Sequence, residues 1–422
     1  MTVRTLADLP PIKPDVPSGI YGGIGGADPN RATGFFHTAR IDGRWWLIEP
    51  EGRRFIHQGV ASVRAIPTDA AQAALARRFG SNEDWARATA ALLHENRFNG
   101  LGCWSDDAAL KPASSRLVYT KLWNFMSAYG KTRGGTYQKP GHTGYPGDCP
   151  FFFDPGFPAF CDQHARQLAA TKDDPWLLGH FTDNELPWSL ELLDRYLKLP
   201  ETDSGRIAAV RWLGQRHGER DSARKITPQD RQDFVGYAAD TYFSAVCGAI
   251  RKHDPNHLIL GPRFHGSALK LAGLFRTAGR HLDVVSVNYY HAWTPDQALL
   301  SSWSSESGKP FLITEWYAKG ADSGLANTGG AGWLVKSQQD RGLFYQNFTL
   351  GLLESGGCVG WHWFKYADND PADKKADPSN RDSNKGVVSS RYTPYQPLLD
   401  AMKEINLRTF GLIEHFNLTE NP

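Results

Sequence analysis

The sequence predicts an α/β protein built as a (β/α)8 TIM barrel with a small N-terminal β element. Three observations lead there. Eight short apolar stretches rich in β-formers alternate with longer segments of helical period. The stretches are apolar nearly throughout, as parallel strands covered by helices on both faces must be. Eight such units favour a sheet closed on itself over an open, doubly wound one. No GxGxxG or GxxxxGK[ST] opens a helical segment, which removes the nucleotide-binding versions of an open α/β sheet; "GGIGGADPN" from Gly22 has neither a strand before it nor a helix after it.

Residues 1–54 stand apart as a Pro-rich polar stretch leading into "FHTARIDGRWWLIEPEGRRF", where "DG" and "EPEG" read as hairpin turns. A small β element plugging the barrel floor is expected there, followed by the barrel over 55–408 and a tail over 409–422. The first strand is "FIHQGVASV" from Phe55, joined by the helical "DAAQAALARRFGSNEDWARATAALLHEN" to the second, "FNGLGCW" from Phe98. "RLVYTKLW" from Arg116 is the third, followed after a Gly/Pro-rich loop by a helix around "PGFPAFCDQHARQLAATK", and "WLLGHFTDN" from Trp176 is the fourth. A charge-rich insertion at roughly 200–230 reads as a solvated face, with a subsite wall or subunit contact as the sharper alternative. Beyond it Phe234, Ala238, Thr241, Ala245 and Ala249 recur every three or four residues, an amphipathic helix. "HLILGPRF" from His257, "LDVVSVNYY" from Leu282, "PFLITEW" from Pro310 and "GCVGWHWF" from Gly357 complete the eight.

Composition narrows the partner. The chain has 422 residues, 41% of them hydrophobic, enough for one large barrel. Forty-seven basic residues against forty-five acidic ones leave no field to recruit nucleic acid or an anionic membrane, so a neutral partner is expected. Fourteen Trp and fifteen Tyr serve either the core or the stacking of sugar rings. Five cysteines without CxxC spacing imply neither a disulfide framework nor a zinc site, and no cofactor motif is present. The N-terminal stretch lacks the apolar run of a secretory signal, and no stretch approaches the length of a membrane span. A soluble chain is expected, cytoplasmic or exported with its signal removed; the oligomeric state is not legible.

Barrel enzymes keep their chemistry at the C-terminal ends of the strands. The fourth strand delivers Asn184 and Glu185 there, the sixth Asn288, Tyr289 and Tyr290, the seventh Glu315 and Trp316, and the eighth Trp361, His362 and Trp363. The fifth ends in Arg263 with His265 just beyond, and the first carries His57. Either glutamate alone would pass for a helix cap or a surface ion pair. Two of them at equivalent strand ends, beside amides and aromatics, suit glycoside hydrolysis: one carboxyl protonates the leaving oxygen while the other attacks the anomeric carbon or activates water. Alternation along the sixth strand puts Asn288 and Tyr290 on one face and Tyr289 on the other.

"TDNE", "NYY", "TEW" and "GWHWF" at these ends resemble the pattern of the clan A glycoside hydrolases, retaining (β/α)8 enzymes, over about residues 40–408. Within the clan, "DGRWWLIEPEGRRFIHQGV", "DNELPW", "AKGADSGLANTGGAGW" and "GWHWFKYADND…NKGVV" are most similar to the barrel of the β-agarase family. Those agarases carry a sizeable β-sandwich ahead of the barrel, where this chain has only residues 1–54. The resemblance implies a retaining β-glycoside hydrolase acting on a neutral β-galactan, agarose-like, or β-glucan. Glu185 then matches the acid/base and Glu315 the nucleophile. Asn184 matches the partner of the substrate 2-hydroxyl, Tyr290 the donor to Glu315, and Trp363 the indole under the sugar at the cleavage point. Arg263 is a further candidate partner of Glu315, Trp104 and Trp316 candidates for neighbouring subsites, and His57, His265 and Asn288 for substrate contact. A metal-dependent barrel hydrolase using His57, His180, Asp183, His265 or His362 is the rival reading, although no HxH or HExxH pair occurs. A non-catalytic carbohydrate-binding barrel would need the tryptophans but not both glutamates.

Overall fold

The computed structural model describes residues 2–112, 116–218 and 226–420. Its centre is a parallel eight-stranded sheet. The strands are β1 (His57–Val60), β2 (Gly100–Leu101), β3 (Val118–Leu122), β4 (Leu177–Phe181), β5 (Leu258–Gly261), β6 (Val285–Asn288), β7 (Phe311–Glu315) and β8 (Cys358–Trp363). All eight expected stretches supply one strand each, in the order β5-β4-β3-β2-β1-β8-β7-β6.

The join between β1 and β8 runs over four register pairs, from His57 with Gly360 to Val60 with Trp363. The last join is narrower. Phe264, just past β5, bridges Val287 of β6. Its N–H donates to the Ser286 carbonyl at 2.9 Å, and its carbonyl accepts from the Asn288 N–H at 2.9 Å. The sheet is thereby a nearly closed barrel.

Val118, Leu178, Leu260, Leu312 and Val359 fill the interior, and Tyr21, Phe36, Leu47 and Phe55 from the N-terminal segment join them. The last two belong to a three-stranded antiparallel sheet, His37–Ile41, Arg44–Ile48 and Arg54–Phe55. Its "DG" turn puts Asp42 and Gly43 at φ 51° and 81°, the left-handed pair that a two-residue hairpin requires. Helices cover the outside. In the longest, Pro228–His253, the buried stripe runs through Phe234, Ala238, Tyr242 and Val246, whereas Thr241 and Ala245 of the expected stripe lie half-buried at its edge. The polar insertion contains the helix Ser204–His217, and its residues 219–225 lie outside the described residues.

Backbone conformation marks one end of the barrel. Ser62, Trp104, Asn124, Glu185, Arg263 and His291, one following each of β1 to β6, all have φ between 51° and 62°. Non-glycine residues rarely adopt this left-handed region, and such strain gathers where surrounding structure holds a site in place. The ring lies at the C-terminal mouth.

Candidate active site

Both glutamates reach that mouth by departures from regular strand geometry. β4 ends at Phe181, four residues before Glu185. The intervening chain leans toward β5, the Thr182 N–H donating to the Gly261 carbonyl at 3.0 Å and the Glu185 N–H to the Pro262 carbonyl at 3.1 Å. On β7 the register with β6 slips between the pairs Val287–Ile313 and Asn288–Glu315. That bulge re-aims Glu315 and leaves Trp316 on the opposite side.

Around Glu315 the donors are strong and charged. The Arg263 guanidinium donates to one carboxylate oxygen at 2.5 Å, and the Tyr290 hydroxyl to the other at 2.6 Å. Arg263, fully buried, also donates to the Asn184 side-chain oxygen at 2.6 Å and to the Thr314 carbonyl at 3.2 Å. Burial first, and then the charge of Glu315, push the Tyr290 hydroxyl well above the usual tyrosine range, so it remains a donor. Tyr289 points away, its ring edge-on to Trp303 at 5.2 Å and its oxygen accepting from the Asp296 N–H at 3.1 Å.

Glu185 has a different shell. The Asn288 amide donates to it at 2.8 Å while the Asn288 oxygen accepts from Thr314 at 2.7 Å. His265 and His142 flank its two oxygens at 3.7 Å and 3.8 Å. Burial, with the charge of Glu315 second, raises the proton affinity of Glu185, and the Asn288 donor works the other way. Two carboxyls in one pocket, Glu185 inclined to keep its proton and Glu315 bonded by Arg263 and Tyr290, form a pair able to exchange a proton and a covalent bond with a substrate between them.

A cavity of about 540 Å³ opens over this pair, and Asn184, Tyr290, His265 and Trp104 of the expected residues line it. Trp104 lies under the Arg263 guanidinium at 4.4 Å. Four expected substrate contacts do not reach it. Asn288 is fully buried and holds Glu185 instead. His57 lies inside the barrel, bonded to His362 at 2.8 Å and to the Val118 carbonyl at 3.1 Å. Trp316 is 1% exposed and stacks on Phe348 at 4.3 Å.

Trp363 is the main correction. It has no exposed surface, and its indole N–H donates to the Lys385 carbonyl at 2.8 Å. The register of β8 with β7 slips between Phe311–Cys358 and Ile313–Trp361. The irregularity leaves His362 inward and both flanking tryptophans in the layer between sheet and helices. The next residue, Phe364, is the aromatic that lines the cavity, with its ring 6.1 Å from that of Trp104.

Among the described residues the candidate ligands of the rival metal reading do not gather in one cluster, His57 and His362 meeting only as a pair. Asp183 accepts from the Met126 N–H at 3.0 Å and from Tyr242 at 2.7 Å, capping the helix Phe125–Arg133. His180 meets Asp254 and His257 outside the barrel. All four of their ring nitrogens are engaged by Trp123, Asp254 or the Asp174 carbonyl, a complete hydrogen-bond network. The sequence reading missed His142, Tyr317, Phe364, Lys365 and Lys385, all on the cavity wall. For Phe364, Lys365 and Lys385 the signal was the resemblance of "FKYADND…NKGVV", and His142 and Tyr317 had none, since loop residues carry no periodicity.

No family model matches the chain. The solved structure of BpGH50 superposes with a TM-score of 0.83 and 31% identity, covering 95% of this chain and 87% of that one. The chain belongs to the GH50 family. This GH50 chain is also 25% identical to beta-agarase B of Vibrio sp. (strain JT0107) over 93% of its length, and 26% identical to beta-agarase A of the same strain over 88%. It spans about half the length of these curated relatives, 50% and 45% respectively. The agarase AgWH50C shares the fold at a TM-score of 0.78 and 22% identity, covering 94% of the GH50 chain and 68% of its own. Among the described residues no helix is long and apolar enough to cross a membrane.

Proposed function

We propose that the protein is a retaining β-glycoside hydrolase acting on a β-linked galactan of the agarose kind, with Glu315 as nucleophile and Glu185 as acid and base. The observation that carries this is the unequal pair: Glu185 raised by burial and by its neighbour's charge, Glu315 clasped by Arg263 and Tyr290. The curated relatives named beta-agarase supply the polysaccharide class.

In the first step a Glu315 oxygen bonds to the anomeric carbon while Glu185 gives its proton to the departing glycosidic oxygen. The new ester removes the charge of Glu315. Glu185 then holds its next proton less tightly, takes one from water, and the hydroxide so formed displaces Glu315 from the anomeric carbon. Asn184 keeps its amide N–H free for the adjacent sugar hydroxyl because its oxygen is committed to Arg263. Phe364 and Trp104 offer the stacking surfaces that Trp363 does not. The first-formed anomer, read by proton NMR during hydrolysis of agarose and other β-galactans and β-glucans, tests the proposal. Retention on a galactan is expected, and an inverted first product would sink it.

Two substitutions and one control probe the settings of the pair. Tyr290→Phe should slow turnover roughly ten- to a hundredfold, the cost of a hydrogen bond to a charged group expressed in rate. Tyr289→Phe, which touches neither glutamate, should have a much smaller effect; kcat for both variants decides. Asn288→Ala removes a donor that favours ionised Glu185. Glu185 must start protonated, so losing that donor should move the alkaline limb of the kcat/KM profile to higher pH. A shift to lower pH would contradict the acid role.

A further inference from the structure

The cavity wall also carries two lysines the mechanism does not use. Lys385 is 1% exposed and Lys365 half-buried, and both line the cavity. Their backbones are laced together, the Lys365 N–H donating to the Lys385 carbonyl at 3.0 Å and the Val387 N–H to the Lys365 carbonyl at 3.1 Å. Asp368 fixes the second strand of this lacing by accepting from the N–H groups of Lys385 at 2.8 Å and Gly386 at 2.7 Å. The lysines are held rigidly.

Their side-chain partners are neutral. The Lys365 ammonium donates to the Asn369 amide oxygen at 2.6 Å, and Lys385 to the amide and backbone oxygens of Asn380. Neither is in an ion pair among the described residues, although Asp373 and Asp377 stand on the same cavity wall. Each ammonium has three donors, so some remain for a ligand. Burial, with neighbouring cations second, pushes Lys365 down to about 8 and Lys385 well below the usual lysine range, the cations being Arg64 for the first and Lys365 for the second. The carboxylates of Asp368 and Asp377 act on both lysines in the opposite sense, but among the described residues neither pairs with them directly, so an anion bonded to both ammoniums would be a stronger partner than either has now. The Lys385 ammonium lies 5.3 Å from the centre of the Phe364 ring, and it feels the charge of Glu315.

We propose that Lys365 and Lys385 form an anion-reading wall, and that the sugar bound over Phe364 beside Glu315 carries an acidic group, a sulfate ester or a carboxylate. This rests on the reading of the cavity as a glycosidase site and narrows its substrate to an acidic galactan. Recognition by the wall needs no chemistry, so the two readings part experimentally. Binding of galactose, galactose 6-sulfate and galacturonate to the intact protein is measured by ligand-observed NMR titration, and cleavage of an aryl β-galactoside is assayed separately. At least one acidic sugar should bind roughly ten- to a hundredfold tighter than galactose, as expected of a hydrogen bond to a charged group. The preferred acidic sugar then distinguishes sulfate from carboxylate. Lys365→Met with Lys385→Met should bring it down to the level of galactose, and Lys385→Arg with Lys365 intact should retain part of the preference. Equal binding of all three sugars by the unaltered protein overturns the inference even if the aryl galactoside is cleaved. So does an acidic preference that survives the double methionine variant. Failure to cleave the aryl glycoside counts against the glycosidase reading alone.

Discussion

Glu315→Ala should lose turnover by about four powers of ten or more, the scale on which removing a bond-forming residue acts. Azide should restore activity as a glycosyl azide of inverted configuration. The reasoning is geometric. The alanine leaves room on the face of the anomeric carbon where the carboxylate stood, and the small anion attacks from there in a single displacement with Glu185 still able to protonate the leaving oxygen. Glu185→Ala should respond differently. On a substrate with a good leaving group the glycosyl-enzyme still forms on Glu315, water reacts with it slowly for want of a base, and azide intercepts it with retained configuration. Product NMR on the two variants assigns the roles independently of any resemblance. Exchanged outcomes would mean the acid and the nucleophile are reversed.

The second large effect is expected at Arg263. Among the described residues this guanidinium is the one cation bonded to Glu315, and it reaches Asn184 and the Thr314 carbonyl as well. A methionine there would leave a nearly buried carboxylate without its counter-charge, which costs about 3–5 kcal/mol when one member of a buried pair is removed. Arg263→Met should therefore lower unfolding stability by about that amount, and reduce kcat/KM by about two to three powers of ten if the same contacts persist into the transition state. Adding Glu315→Gln should recover a substantial part of the stability, because the stranded charge is gone, while activity stays absent. Chemical denaturation of the single and double variants checks the coupling. Equal stability loss in both would mean that Arg263 matters through packing on Trp104 and not through Glu315.

How much of this was readable beforehand follows from what each level of structure demands of sequence. A parallel strand covered on both faces must be apolar along its length, so all eight strands were visible and the residues at their ends could be lined up. Glu185, Glu315, Asn184, Tyr290 and Arg263 therefore came out of the sequence as one group, and the structure brings them together. What stayed hidden was phase. Simple alternation breaks at a bulge, and the one on β8 moves Trp363 into the outer layer and gives the cavity to Phe364. His57 was misjudged for a related reason, since it sits at the start of β1 and faces the barrel interior rather than the mouth. Lys365 and Lys385 lie in a long irregular loop, where position is set by contacts such as those of Asp368 and not by any period in the chain.

The narrow join between β5 and β6 bears on how such a site would fail. A closed sheet has no spare edge, and local opening begins where the fewest backbone bonds must break together. Arg263 stands on one lip of that join and Asn288 on the other, so Glu315 and Glu185 each owe a partner to opposite sides of the same weak line. Opening it would take one partner from each carboxylate in a single event. The surroundings of the two glutamates therefore change together when that wall parts, and Tyr290, on the same side as Glu315, is the partner that Glu315 keeps.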